Sequence, residues 1–249
     1  MGVWDRYYER KQRASVPRSL TAPFSQAILT IVTRAVSLPP VARILEIGGG
    51  EGSYLALFSK SLNAMPSTIE LSEVGAAQCR ETLQRMDMRA EEVLHGDVFD
   101  PTLQLKWKER FDFVCSFGFV EHFADIRRTL AAHTNLVKPG GFCFVTVPNF
   151  HNPYNRGFCL MAKGRREYDG ISINEAITLS SLEAEFGSLG MRPVDSGYLK
   201  AWPLYRPVSF GRALAISPML ALGLCGNLLG LPTPHALGPT MFVLSEKSR

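Results

Sequence analysis

The sequence predicts an α/β fold, a mostly parallel sheet with helices on both faces. Three observations carry this. Short apolar runs alternate with segments of helical period between residues 42 and 147. A glycine-rich turn, Glu46-Ile47-Gly48-Gly49-Gly50-Glu51-Gly52, directly follows the apolar run Val41 to Leu45, as where a strand turns into a helix. The chain, 249 residues long, is also long enough for one large domain that buries its core without disulfides or metal. Strands separated by single helices require right-handed crossovers, which make neighbouring strands parallel and cover both faces of the sheet.

Taken in order, Trp4 to Lys11 is amphipathic and charged where a signal peptide would need an apolar stretch, so secretion is not expected. Phe24 to Ser37 carries Ile28, Ile31, Val32, Ala35 and Val36 at helical spacing and is stopped by Pro39-Pro40. Strand Ala42 to Ile47 leads to helix Gly52 to Ser61, strand Ser67 to Leu71 to helix Val74 to Met86, and a short strand Glu92 to His95 to Gly96-Asp97. Strand Phe111 to Ser116 leads to helix Ala124 to Leu136, and the turn Lys138-Pro139-Gly140-Gly141 opens the β-branched and aromatic strand 141–147. Helix Ser180 to Leu189, a strand near Pro193 to Tyr198 and a last strand Thr240 to Ser245 complete the pattern. The expected organisation is a single domain, 1–249. Residues 1–38 form a helical cap, 39–147 the ligand-binding core, and 148–178 and 199–239 are insertions on the substrate side.

Composition excludes several classes. The formal net charge of +4 is mild, and the basic residues are dispersed apart from short runs such as Lys163-Gly164-Arg165-Arg166, so nucleic acid is not an expected partner. The five cysteines (Cys79, Cys115, Cys143, Cys159, Cys225) lie far apart with no C-x-x-C, which fits reduced thiols and a cytoplasmic location. From Ala213 to Ser245 there is no Asp, Glu, Lys or Arg, yet Pro218, Gly223, Gly226, Asn227 and Gly230 interrupt the most apolar part, 213–231. That part reads as a lid over an apolar pocket, with dimer contact or peripheral membrane-surface attachment as the alternatives.

The glycine turn fits acid-x-Gly-x-Gly-x-Gly, whereas the dinucleotide fingerprint would require Gly or Ala at Ser53. Glu70, at the end of the second strand and followed by Leu71, is spaced to accept both ribose hydroxyls of an adenosine. The fourth strand runs out as Asp112-Phe113-Val114-Cys115-Ser116-Phe117-Gly118-Phe119-Val120-Glu121-His122-Phe123, and Leu136-Val137-Lys138-Pro139-Gly140-Gly141 follows the next helix.

At these motifs, over roughly residues 40–200, the chain resembles the class I S-adenosylmethionine-dependent methyltransferases of small-molecule type. The resemblance implies a Rossmann-like, seven-stranded, mostly parallel sheet with an antiparallel last strand and lid insertions. It implies S-adenosyl-L-methionine as cofactor and S-adenosyl-L-homocysteine as product. Glu46, Gly48, Gly49, Gly50 and Gly52 would hold the methionine end, Glu70 and Leu71 the ribose, Asp97 and Val98 the adenine, and Ser116 and Phe117 would complete the pocket. An aromatic lid including Trp4, Tyr7 and Tyr8 is expected, with Tyr7, Tyr8, Phe119 and Tyr154 facing the acceptor.

Methyl transfer is an in-line displacement, so the protein's work is alignment and exclusion of water. A hydroxyl acceptor must lose a proton, and His122 is the candidate base, with His151 second. The alternative is that Glu121 and His122 only shape the pocket. Relatives that hold a divalent metal use Glu-x-x-Glu-His here; this chain has Gly118 in place of the first Glu, so no metal is expected. The expected reaction is O-methylation of a rather apolar small molecule in a biosynthetic pathway. A glycan, lipid, protein or RNA acceptor, or a non-catalytic binding module, remains open.

Overall fold

The computed structural model describes residues 2–14, 23–152, 174–199 and 238–249. Helices α1 (Val3–Ala14) and α2 (Pro23–Ala35) precede the sheet. The core then alternates β1 (Ala42–Ile47), α3 (Ser53–Ser61), β2 (Ala64–Glu70), α4 (Glu73–Arg85), β3 (Glu92–His95), α5 (Pro101–Lys106) and β4 (Phe111–Phe117). A 3-10 turn (Val120–His122), α6 (Ile126–Thr134) and β5 (Val137–Pro148) follow, then α7 (Leu179–Ser188), β6 (Met191–Leu199) and β7 (Thr240–Lys247).

The seven strands form one sheet in the order β3-β2-β1-β4-β5-β7-β6. Strands β1 to β5 pair parallel, and β7 runs antiparallel to both β5 and β6. Consecutive residues of the central strands belong to different core clusters. Leu45, Val114 and Val145 pack with Trp107 and Phe186, whereas Ile44, Phe113 and Phe144 pack with Ile28 and Phe58. Both faces are therefore buried, as a sheet wound by helices on each side requires. Strand order reverses between β1 and β4, and a crevice opens at the carboxyl ends of strands where such a reversal occurs.

Local chemistry sets the helix starts. Ser72 accepts from the Gly75 N–H to begin α4, Asp125 from the Arg128 N–H to begin α6, and Thr178 forms a reciprocal capping box with Ser181 at α7. The structure also departs from the expected elements in four places. The helix expected at 124–136 begins only at Ile126, because Asp125 caps it, and the 3-10 turn precedes it. Helix α5 was not expected. Its Asp100 cap and Pro101 at the first position are ordinary start signals, but six residues are too few to show a period.

Strand β2 begins before Pro66 rather than after it. The ladder to β3 starts only at Ser67, so the missing proline N–H removes no bond there. Strand β5 begins at Val137 and absorbs the Pro139-Gly140-Gly141 turn through a register irregularity opposite Phe111 and Phe113. That segment is held by Lys138, whose Nζ donates to both carboxylate oxygens of Asp112 at 2.8 Å. Cys79, Cys115 and Cys143 are buried free thiols, and Cys159 and Cys225 lie outside the described residues. Among the described residues no helix is long and apolar enough to cross a membrane; the 213–231 segment lies outside them.

Candidate active site

The crevice is a cavity of about 360 Å³ lined from the carboxyl ends of the parallel strands. Its floor is the glycine turn after β1. The Gly48 N–H bonds the Ile69 carbonyl at 2.8 Å and the Gly52 N–H the Gly49 carbonyl at 2.8 Å, so the turn is pinned to β2 and closed on itself. Two of its glycines are required by what approaches them. A β-carbon on Gly50, at φ +51°, would lie 2.5 Å from the Tyr8 hydroxyl. One on Gly52, at φ +75° and immediately before α3, would lie 2.6 Å from the Sγ and 3.2 Å from the Cα of Cys79 on α4.

At the end of β2, Glu70 is buried and accepts the Gly50 N–H and the Ser72 N–H, each at 2.8 Å, on different oxygens. Burial pushes its carboxyl up, and these backbone donors pull against that rise. Each oxygen keeps a further acceptor site for a hydroxyl. Past β3, Asp97 lines the cavity while Oδ1 accepts the Phe99 N–H at 2.9 Å, so the residue holds its own turn and still presents a carboxylate. Val98 beside it is buried and Leu71 is exposed at the rim.

Helix α1 lies over this region. Asp5 Oδ1 accepts the Ser72 hydroxyl at 2.7 Å, and the Asp5 carboxyl is held below its usual range, first by that bond and then by the Gly2 N–H. Tyr8 is buried against Gly50 and Gly75, and its phenol is raised, by burial first and then by the Glu70 charge. The structure therefore sets Tyr8 on the glycine-turn side of the cavity, while the Tyr7 ring is exposed and packs edge-on against Trp4 at 5.8 Å. The Trp4 ring in turn meets His122 edge-on at 5.0 Å, which brings the amino-terminal helix to the far wall.

That far wall is built after β4 by Phe117, Phe119, Phe123, His122 and Glu121. Glu121 is 4 % exposed, and burial raises its carboxyl to about 8. Below the wall, His133 is buried and lowered to about 4 by loss of solvent. Because His133 Nδ1 faces the Thr129 carbonyl at 2.8 Å it must donate there, so Nε2 accepts from the Ser116 hydroxyl at 3.0 Å.

Glu46, Gly48, Gly49, Gly50, Glu70, Leu71, Asp97, Val98, Phe117, Phe119, Tyr7, Tyr8 and His122 thus share one cavity. Three other expected residues do not line it. Gly52 packs on Cys79, the Ser116 hydroxyl turns down to His133, and His151 stands exposed past β5 with its N–H on Asn149 Oδ1 at 3.2 Å. Tyr154 lies outside the described residues. Lining residues that motif reading passed over are Tyr54, Phe99 and Phe123, apolar positions that look like core until the fold turns them to the crevice.

The electrostatics are one-sided. Glu46, Glu51, Glu70, Asp97 and Glu121 line the cavity, and among the described residues no Lys or Arg does. Such a cavity fits a ligand that brings positive charge and hydrogen-bond donors, as a sulfonium nucleoside with an α-amino group does.

A mostly parallel sheet with a glycine turn after its first strand and an acid-rich crevice at the carboxyl ends of its strands fits a class I S-adenosylmethionine-dependent methyltransferase, whose cofactor is S-adenosylmethionine. Residues 15–192 match the family model described as methyltransferase domain, and the chain belongs to that family. It is similar to a ubiquinone biosynthesis O-methyltransferase of Brucella anthropi, 28% identical over 113 residues, which are 43% of this chain and only 41% of that relative. Among solved structures it is similar to an S-adenosylmethionine-dependent methyltransferase of Thermotoga maritima, with TM-score 0.60, 15% identity and 99% of both chains covered. It is also similar to the phosphoethanolamine N-methyltransferase 2 of Haemonchus contortus solved with S-adenosyl-L-methionine, with TM-score 0.60, 17% identity, and 90% of this chain and 52% of that one covered.

Proposed function

We propose that this enzyme transfers the sulfonium methyl to a hydroxyl oxygen of a rather apolar small molecule. The observation that carries the reading is the division of the cavity, with Glu46, Glu70, Asp97 and the glycine turn on one side and the rings of Trp4, Phe119, Phe123 and His122, beside Glu121, on the other. The partial match to an O-methyltransferase of quinone biosynthesis supports an oxygen acceptor.

In this reading Glu46 and the turn Gly48 to Gly50 hold the methionine end, Glu70 the ribose hydroxyls and Asp97 the adenine amino group. The cofactor supplies an electrophilic methyl; the protein aligns it and keeps water out. His122, on the ring-lined side, takes the acceptor's proton, since an imidazole changes charge near neutral pH. Trp4, packed on that imidazole, couples the position of α1 to the reacting group.

Incubating the enzyme with S-adenosylmethionine and hydroxylated apolar metabolites, then reading product masses and fragment ions, tests this. An O-methyl ether whose formation drops on the order of 10²-fold in His122→Ala is expected. Methylation confined to amines or to macromolecules would overturn the acceptor class.

A further inference from the structure

Glu121 is the carboxyl on the ring-lined wall of the cavity, and the reading above leaves it without a task. It stands on the 3-10 turn after β4, 4 % exposed, and its Oε2 is buried with no hydrogen-bond partner among the described residues. A buried carboxylate oxygen without a donor is costly, so burial outweighs the one backbone bond to the carboxyl and in the absence of a cation the group keeps its proton. Beside it, Gly118 sits at φ +66°. A β-carbon there would stand 3.2 Å from Glu121 Oε1.

The surroundings sharpen the point. The ionisable groups facing the cavity are Glu46 and Glu51 from the turn after β1, Glu70 from β2 and Asp97 from the loop after β3. Helix α1 adds Tyr7 and Tyr8, α3 adds Tyr54, and the 3-10 turn itself adds His122. Below the wall, His133 is buried and stays neutral above about pH 4. Among the described residues no Lys or Arg lines the wall beside Glu121, and a sulfonium in the cavity would supply a positive charge there.

We infer that Glu121 is the charge-compensating group of the transfer, releasing its proton when a sulfonium enters the cavity and ending each turnover with the proton of the acceptor. The inference rests on the oxygen-acceptor reading for its second half only. As the acceptor oxygen bonds to the methyl carbon, the carbon–sulfur bond breaks and its electron pair stays on sulfur. The acceptor's proton, taken by the His122 imidazole, passes to the Glu121 carboxylate. A cation, an anion and an alcohol thereby become a thioether, a protonated carboxyl and an ether, with charge and atoms balanced. The buried pocket holds no net charge from this pair before or after the step, which removes the cost of leaving one of them alone in a poorly solvated wall.

The test needs no acceptor. S-adenosylmethionine and S-adenosylhomocysteine share every group except the sulfonium methyl, so the difference in proton release between them isolates the response to that charge. Titration calorimetry at pH 7 in buffers of different ionisation enthalpy counts the protons. With the carboxyl at about 8, the wild type is expected to release up to about 0.9 proton more with S-adenosylmethionine than with S-adenosylhomocysteine. In Glu121→Gln, checked for folding by its melting curve, that difference disappears. Independently of any variant, the infrared band of a protonated carboxyl should be lost from the wild type on adding S-adenosylmethionine and kept on adding S-adenosylhomocysteine. Equal proton release with the two nucleosides, or an undiminished difference in Glu121→Gln, would overturn the inference. Binding of neither nucleoside would remove the cofactor assignment as well, and failure of O-methylation alone would leave the proton count standing.

Discussion

Replacing Glu121 by Gln should change how stability depends on pH more than it changes stability at any one pH. In the folded protein burial holds the carboxyl at about 8 against an ordinary value of 4.5. Between those two values the folded state binds a proton that the unfolded state has lost, so stability falls as pH rises. The difference of roughly 3.5 units, at about 1.36 kcal/mol each, amounts to about 5 kcal/mol by pH 8 and close to nothing at pH 4.5. Glutamine keeps the shape and cannot ionise. Urea unfolding of both proteins at pH 5 and pH 8 gives the four free energies required. The wild type is expected to lose several kcal/mol relative to the variant between those pH values. Two pH dependences that run parallel would show that Glu121 is charged, or solvated, in the native state, and the argument from burial would be refuted.

Three further outcomes follow from the geometry. Gly52→Ala brings a β-carbon to 2.6 Å from Cys79 Sγ at φ +75°, so it should destabilise by at least about 1 to 2 kcal/mol, read as a lower melting temperature; an unchanged melt would contradict the packing of α3 on α4. Asp97→Ala should weaken S-adenosylhomocysteine binding by roughly 10- to 100-fold in calorimetry, the loss of a hydrogen bond to a charged group, while leaving the fold intact. His133, buried neutral and lowered to about 4 from 6.5, gives stability that is present above pH 6.5 and lost as pH falls towards 4, by up to about 3 kcal/mol. Its ring resonances should not titrate above pH 5, and a midpoint near 6.5 would count against its buried bond to Ser116.

The parallel core was legible because strands and helices here obey different periods, and the glycine turn, Pro39-Pro40 and the turn Lys138-Pro139-Gly140-Gly141 punctuate them. What could not be read was decided by pairing partners. Pro66 looks like a strand breaker until β3 is found to pair only from Ser67. The turn Lys138 to Gly141 looks like a loop until Asp112 on β4 fixes Lys138 beside the strand. At the site, residues at strand ends were readable, since a carboxylate or glycine at such a position has few other uses. Ser116 illustrates the limit. Its place at the end of β4 suggests the cavity, yet strand alternation and the buried His133 turn its hydroxyl to the opposite side. Glu121 shows the reverse case, a residue whose sequence neighbourhood allows a mere pocket-shaping role and whose burial without a partner for Oε2 gives it another.

The account stands most directly on where the cofactor binds. A crystal structure of the enzyme with S-adenosylhomocysteine should show the ribose hydroxyls on Glu70, the adenine amino group at Asp97 and the thioether sulfur facing the wall formed by Glu121 and His122. The nucleoside bound elsewhere, or in this cavity with its adenine against the ring-lined wall, would contradict it.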